Sequence, residues 1–380
     1  MDIKDFIAGK YVKQIKYVSF LPEKISKEWI VSTPKINLLL SEANRLLGEL
    51  NALSQLIPDV DFFIKMHISK EATTSSKIEG TKTNMEESLL SEEEINPEKR
   101  NDWIEVQNYI NAINYSIAAL EKLPLSNRLI KNTHKILLKG VRGKHKMPGE
   151  FRKSQNWIGA TLKDAIYIPP HHSELPDLMS DFEMFLNSYD NDVPHLIKIA
   201  IAHYQFETIH PFLDGNGRLG RLLITLYLVS NGILTKPALY LSDFFEKHRT
   251  YYYDNLMQAR LNNNLEQWIK FFLVGVIETS KSSIQVFKDI IALKTDIENK
   301  RLPTLGSKTK KGMKVLKVLF QNPIITSNKL VDELKIANAT ANRLLIDFEK
   351  LNIIKEYTGF KRNRKYIFKE YFDIFEKNSD

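Results

Sequence analysis

The chain has 380 residues, 43% of them hydrophobic, with a formal net charge of +8 and no cysteine. Its length allows two or three domains, and the lack of cysteine excludes disulfides and thiol chemistry and is compatible with a reducing compartment. No apolar run approaches the roughly 20 residues that span a bilayer, and the first residues lack the layout of a secretion signal. We therefore expect a cytoplasmic protein with no membrane partner.

Apolar residues recur at helical spacing along most of the chain, which predicts a mainly α fold. The predicted helices span residues 36–56, 103–120, 129–138, 175–185, 196–206, 222–229 and 265–290. An acidic run at 86–94, followed by Asn96 and Pro97, indicates a boundary. We place an N-terminal helical arm at residues 1–97 and a core at residues 98–300.

A short polar string, Ser75-Ser76-Lys77-Ile78-Glu79-Gly80, lies inside the predicted arm. If it is helical, Ser75 and Glu79 share a face because they are four residues apart, and Gly80 ends the helix. Taken alone, the string is also typical of a solvated surface helix with an ordinary glycine cap.

Two short β-prone runs, 156–159 and 165–168, predict a β-hairpin. A hairpin with a free edge could hold an extended peptide by β-augmentation. The alternative is a hairpin with a purely structural role.

Residues 210–221 read His-Pro-Phe-Leu-Asp-Gly-Asn-Gly-Arg-Leu-Gly-Arg and precede an apolar helical run. A loop that leads into a helix N-terminus presents free N–H groups to anions. Arg218 and Arg221 share a helical face, which suits a polyphosphate. Asp214 is a natural Mg²⁺ ligand, and His210 suits a base at neutral pH. One alternative is a calcium loop, which would need an acidic or amide side chain where Arg218 stands and a glycine where Leu219 stands. The other is a tight turn with local ion pairs, which does not explain why so many functional groups converge.

The motif His-x-Phe-x-Asp-Gly-Asn-Gly-Arg-x-x-Arg resembles the signature of Fic-domain proteins, and the likeness extends from about residue 20 to about residue 290. It implies a Fic-type helical core whose hairpin is a flap over the site. It further implies transfer of AMP from ATP, with Mg²⁺, to a Ser, Thr or Tyr hydroxyl of a protein. His210 would be the catalytic base and Asp214 the metal ligand. The resemblance assigns ATP binding to Asp214, Gly215, Asn216, Gly217, Arg218, Leu219, Gly220, Arg221, the flap residues Asn156, Trp157, Ile158 and Gly159, and the tyrosines Tyr252 and Tyr253.

The string at 75–80 resembles the inhibitory motif of the same family. By that likeness Glu79 would hold Arg221 and prevent it from binding a γ-phosphate, with Ser75 and Gly80 as the other motif residues. Phe212 would be a core anchor.

The positive charge is concentrated at the end of the chain, where residues 301–380 hold 17 Lys or Arg and 9 Asp or Glu. Residues 301–312 predict a linker. Helical patterns at 313–320, 328–335 and 339–351, followed by strand patterns at 353–357 and 365–368, predict a winged helix-turn-helix at 313–380. The predicted recognition helix carries Thr340, Asn342 and Arg343, and the predicted wing tip carries Lys361, Arg362 and Arg364. Such a module binds either DNA phosphates or protein.

Two functions from different classes therefore stand. The favoured one is an autoinhibited protein adenylyltransferase that modifies a target protein or itself and releases pyrophosphate. The alternative is a DNA-binding regulator in which the core senses nucleotide. Removal of AMP by the same site and a homodimer are left open.

Overall fold

The computed structural model describes residues 1–56, 60–140, 145–188, 193–360 and 363–376. Helices dominate these residues, which confirms the predicted fold class. In chain order they are α1 (Pro34–Leu56), α2 (Val60–Ile78), α3 (Met85–Ser88), α4 (Arg100–Leu120), α5 (Asn127–Leu137), α6 (Leu175–Asn187), α7 (His195–Ile209), α8 (Asn216–Ser230), α9 (Ser242–Lys247), α10 (Arg249–Asn262), α11 (Leu265–Asp296), α12 (Thr309–Gln321), α13 (Ser327–Leu334), α14 (Asn338–Lys350) and α15 (Lys369–Glu376). Among the described residues, no helix combines the length and the apolar character needed to cross a membrane.

The strands of the described residues form three small sheets. They are β1 (Gly9–Lys13), β2 (Val18–Pro22), β3 (Ile158–Gly159), β4 (Ala165–Tyr167), β5 (Ile324–Thr326), β6 (Lys355–Glu356) and β7 (Lys365–Ile367). β1 pairs with β2 and β3 with β4, both antiparallel, and the third sheet has the order β5-β7-β6. The predicted flap hairpin is thus β3–β4.

Helices α7 and α8 form the centre of the molecule, and almost every residue of both is buried. A helix with long apolar side chains on all of its faces is stable only when other elements cover every face. Here α6, α4, α5 and α11 supply that cover, and α11 also packs along α1. The loop at 210–215 connects α7 to α8 and is therefore anchored by two rigid, buried helices.

The N-terminal hairpin β1–β2 was not expected from the sequence. The backbone N–H of Phe20 in β2 donates to the carbonyl of Ile168, just after β4, at 2.9 Å. The N–H of Ala8 donates to Asn263 Oδ1 beyond the end of α10 at 2.8 Å. The hairpin therefore lies beside the flap and the end of α10.

The C-terminal residues contain the three predicted helices as α12, α13 and α14, and the two predicted strands as β6 and β7. The sequence missed β5, which pairs with β7, and α15. Within the predicted linker, residues 302–308 form short 3₁₀ turns on either side of a kink at Gly306, which has φ 57°, and Leu302 is buried in the core. Two residues of the predicted wing tip, Lys361 and Arg362, lie outside the described residues. The winged-helix assignment stays a prediction.

Candidate active site

His210 ends α7 in a left-handed conformation, with φ 49° and ψ 61°, and its N–H donates to the carbonyl of Phe206 at 2.9 Å. Pro211 follows, and a proline ring cannot continue a helix. The His210 carbonyl accepts bonds from Arg152 Nε at 3.0 Å and from Asn156 Nδ2 at 3.2 Å. These two buried side chains fix the backbone position of His210, from which the imidazole extends.

Asn216 and Phe212 hold the loop closed. Asn216 Oδ1 accepts from the N–H of Phe212, and Asn216 Nδ2 donates to its carbonyl, both at 2.9 Å. The fully buried Phe212 ring stacks on His134 with ring centroids 3.7 Å apart. Phe212 is thus placed as a core anchor. Because both polar atoms of the Asn216 side chain bond within the loop, the group that Asn216 can offer to an anion is its backbone N–H.

The carboxylate of Asp214 is 40% exposed, and Arg218 reaches it at 3.5 Å. Arg218 is itself buried and also pairs with Glu105 of α4 at 3.2 Å. The sequence pattern did not indicate Glu105, because it is 113 residues away from its partner. A buried guanidinium between two carboxylates is held firmly in one place.

Arg221 is buried and makes three contacts with the end of α2. Its Nη2 donates to Glu79 Oε1 at 2.7 Å and to the Ser75 carbonyl at 2.9 Å, and its Nε donates to Ser75 Oγ at 2.9 Å. We call this set of contacts the Arg221 clasp. Ser75 and Glu79 do share one helix face, and Gly80 follows with φ +101°, a conformation that suits glycine and ends the helix.

The charges of the clasp reinforce each other. Burial raises the pKa of Glu79, but the attraction of Arg221 outweighs it and leaves that pKa below its usual value. Burial likewise opposes the charge on Arg221, yet Glu79 holds its pKa above the ordinary range. Both groups are therefore charged at neutral pH.

Gly217 lies directly under the clasp, in the first turn of α8. A Cβ at this position would stand 2.4 Å from Glu79 Oε1 and 3.0 Å from Arg221 Nη1. No other residue type allows this approach without a shift. Gly215 precedes it as the N-cap of α8, while Leu219 is buried in the core and Gly220 faces Glu207.

A cavity of about 550 Å³ opens beside the loop, between the flap, α2, α7, α8 and α10. Its polar and aromatic lining consists of Tyr11, Glu79, Trp157, Tyr167, Glu207, His210, Arg221, Arg249, Tyr252, Tyr253 and Arg260. A separate, smaller cavity of about 180 Å³ is bordered by Glu79, Glu105, Asp214 and Arg218. Glu79 therefore borders both cavities.

Burial, reinforced by Arg152, lowers the pKa of His210 to about 4, so the imidazole is neutral at pH 7. Burial raises the pKa of Glu207 to about 7. Glu207 is one helical turn before His210 and lines the same cavity, and the sequence analysis did not single it out. A neutral imidazole in a cavity wall can accept a proton.

The remaining predicted residues are divided between the cavity and its support. Trp157 and Ile158 of the flap are exposed and line the cavity, and Gly159 lies at a bulge in the β3–β4 pairing. Asn156 Nδ2 bonds the loop carbonyls. The Tyr252 ring is buried and its hydroxyl bonds His203 at 2.9 Å, whereas Tyr253 is 42% exposed.

Comparison with family models gives two matches along the chain. Residues 37–118 match the Fic/DOC family N-terminal model, and residues 124–228 match the Fic/DOC family model. The second segment contains the flap, the loop at 210–215 and the clasp arginine. The resemblance predicted from the motif is thereby confirmed.

Curated relatives match about a third of this chain. The chain is 37% identical over 124 residues to protein adenylyltransferase Fic of Aedes aegypti and 36% identical over 124 residues to that of Culex quinquefasciatus. These segments cover 32% of this chain and 22% of each relative. The chain thus matches about a fifth of the length of these relatives.

Solved structures show a likeness in fold. A Fic family protein from Desulfovibrio desulfuricans has a TM-score of 0.55 at 20% identity, over 90% of this chain and 98% of that one. A Fic domain containing signaling protein from Bacteroides thetaiotaomicron has a TM-score of 0.52 at 17% identity, over 67% and 97%. At these identities the comparison establishes the Fic fold.

Proposed function

We propose, from the premise that this chain carries the two domains of the Fic/DOC family at residues 37–118 and 124–228, that it is an autoinhibited protein adenylyltransferase. It transfers AMP from ATP to a Ser, Thr or Tyr hydroxyl of a protein and releases pyrophosphate. The observation that carries the proposal is one cavity wall, on which His210, Gly217 at the start of α8, and Arg221 lie together.

The reaction follows from what each group can do. The target hydroxyl oxygen attacks the α-phosphorus, His210 accepts the hydroxyl proton, and the bond from that phosphorus to the pyrophosphate oxygen breaks. Negative charge grows on the leaving phosphates. Guanidinium groups that face these phosphates, here Arg218 and Arg221, stabilise the transition state. The N–H groups at the start of α8 add to this field.

Asp214 fits the metal that such a reaction uses. Its carboxylate is 40% exposed beside Arg218, and the described residues include no cluster of three or more metal-ligating side chains. Mg²⁺ is usually held by one or two carboxylates together with substrate phosphates. Asp214 would hold Mg²⁺, which would neutralise charge on the phosphates when bound.

The Arg221 clasp supports autoinhibition. While Glu79 occupies Nη2 of Arg221 at 2.7 Å, that guanidinium is not free to bind a γ-phosphate in a bidentate manner. ATP would then bind with its phosphates displaced from the productive position. Removal of Glu79 should therefore raise the rate of transfer.

Transfer of label from α-³²P ATP with Mg²⁺ tests the proposal. We expect protein-bound label to increase in Glu79→Gly and to disappear in Glu79→Gly/His210→Ala, while both variants still bind ATP. Label that persists in the double variant contradicts His210 as the base, and no label in any variant contradicts adenylyl transfer. Label on the enzyme itself would show self-modification, and its loss on incubation without ATP would show removal of AMP.

A second function, duplex DNA binding, is supported by the charge of the C-terminal residues. Asn342 and Arg343 are exposed on α14, and α12 carries an exposed row of lysines. The row consists of Lys310, Lys311, Lys314 and Lys317. We expect binding to duplex DNA that weakens steeply with added salt, as phosphate contacts do. A lack of binding at low salt contradicts it. We place both functions in the cytoplasm.

A further inference from the structure

The inhibitory helix α2 is also held at its other end, by the C-terminal unit, defined as residues 309–376. The ring of Phe63 lies 5.6 Å from that of Phe320 in α12 and 6.2 Å from that of Tyr371 in α15. One turn later, the buried ring of His67 lies 5.1 Å from that of Phe375. Aromatic pairs at these separations contribute beyond their buried area.

Polar contacts supplement this aromatic packing. Lys65 Nζ donates to the carbonyl of Gln321 at 3.3 Å and to Asn322 Oδ1 at 3.0 Å. Lys365 of β7 forms an ion pair with Glu94, in the segment that follows α2 and α3. The C-terminal unit thus contacts the inhibitory helix at its start and the chain beyond its end.

The two ends of α2 are mechanically connected. Residues 63 to 79 contain neither glycine nor proline, and without a breaker a helix bends only gently. At about 1.5 Å per residue, Phe63 and Glu79 are separated by roughly 24 Å along one rod. A displacement of the first turns therefore has to move the last turn, where Ser75 and Glu79 hold Arg221.

We propose that the C-terminal unit is a regulatory element that sets the position of α2, and that loosening its hold opens the Arg221 clasp and activates the enzyme. The inference rests on the proposed function, since it takes the clasp as the inhibitory contact. The two-state element is the end of α2, with Glu79 on or off Arg221, and both the C-terminal unit and the nucleotide bias it.

The test is a double-mutant cycle between the contacts of the C-terminal unit with α2 and the Arg221 clasp. Phe375→Leu removes the ring against His67 and keeps an apolar side chain. Lys65→Met removes the polar contacts without creating a cavity, in case the first variant folds poorly. Phe348→Leu is the matched control, because Phe348 is fully buried inside the C-terminal unit and packs near Gly312 of α12.

Initial rates of AMP transfer are measured for each variant with Glu79 present and in the Glu79→Gly background. We expect Phe375→Leu and Lys65→Met to raise the rate roughly two- to thirtyfold when Glu79 is present, the range typical of coupling between sites. In the Glu79→Gly background the same changes should leave the rate unaltered, because the clasp is already open. Equal effects in both backgrounds, or no effect in either, overturn the inference.

Hydrogen exchange of the peptide covering residues 71–82 provides a readout independent of catalysis. The N–H groups of Glu79 and Gly80 donate to the carbonyls of Ser76 and Lys77 at 3.0 Å. These N–H groups should therefore exchange faster when the end of α2 opens. Faster exchange in Phe375→Leu but not in Phe348→Leu supports the inference even if the proposed chemistry fails. Unchanged exchange in Phe375→Leu and Lys65→Met overturns it even if Glu79→Gly transfers AMP.

Discussion

Glu79→Gly removes one partner of the Arg221 clasp and leaves the other. After the change, Arg221 keeps the hydroxyl and carbonyl of Ser75 at 2.9 Å but loses the carboxylate of Glu79, which lies 2.7 Å from its Nη2. The guanidinium stays in place and its free edge turns toward the site that Glu79 occupied. A γ-phosphate can then bind there.

The size of the effect follows from the bond that is lost. A hydrogen bond to a charged group contributes about 1.5–3 kcal/mol, and about 1.4 kcal/mol corresponds to a factor of ten. If the clasp is what limits productive binding, the rate of AMP transfer should rise by about 10- to 150-fold. The lower value applies if water has access to the pair.

The assay is the initial rate of label transfer from α-³²P ATP, compared among variants of the same helical turn. Glu79→Asp keeps the charge but shortens the side chain by one methylene, so it should activate less. Lys77→Ala is the matched control, because Lys77 pairs at 2.8 Å with Glu246 on the outer side of α2. It should leave the rate within about twofold, since exposed pairs contribute little.

Two results would refute the reasoning. A rise of less than about threefold in Glu79→Gly, well under the 1.5 kcal/mol expected for a charged hydrogen bond, would mean that the clasp does not limit the reaction. A similar rise in Lys77→Ala would mean that any loosening of α2 activates and that the carboxylate is incidental. Adding Arg221→Ala to Glu79→Gly should abolish the gain, because no guanidinium then remains to bind phosphate.

Three further outcomes can be measured. Because the pKa of His210 is lowered to about 4, protonation of His210 should lower the kcat/KM of Glu79→Gly only as pH drops toward 4. Since the pKa of the neighbouring Glu207 is raised to about 7, the contradicting result is an inflection near the ordinary histidine value that persists in Glu79→Gly/Glu207→Gln. Gly220→Ala should destabilise the fold by about 1 kcal/mol in denaturant unfolding, the low end of overpacking, since its Cβ would displace the Glu207 carboxyl, 2.3 Å away, and lie 3.2 Å from the ring of the buried Phe206. Gly48→Ala, in α1 with nothing within 4 Å, should instead stabilise it by about 0.5–1 kcal/mol.

The parts of the site that sequence predicts are those that depend on local spacing. The motif at 210–221 places a histidine, a carboxylate and two arginines within one loop and one helical turn. The interval between Ser75 and Glu79 fixes a common helix face, and the structure places both on Arg221. The partner could be named because a family resemblance connected two segments 142 residues apart.

The parts that sequence missed depend on tertiary contacts. Glu105 meets Arg218 only because α4 packs on α8. Tyr11 lines the cavity because the β1–β2 hairpin lies beside the flap. The sequence did not reveal this hairpin, since strands this short show only a weak alternation of apolar and polar residues. Likewise, the amide groups of Asn156 and Asn216 bond loop carbonyls, a role that residue type alone does not reveal.

The burial of Arg221 limits how the enzyme can be switched on. A buried charge that loses its partner is strongly destabilising, by about 3–5 kcal/mol, so an open clasp that leaves the guanidinium bare is only a minor state. Opening is favourable only when another anion replaces Glu79, and the γ-phosphate of ATP is the anion that the proposed reaction brings there. Glu79 and the γ-phosphate therefore compete for one site, and the contacts of α2 set the balance. Since the C-terminal unit packs on Phe63 and His67 of that helix, a ligand that shifts the unit changes the competition without touching the active site.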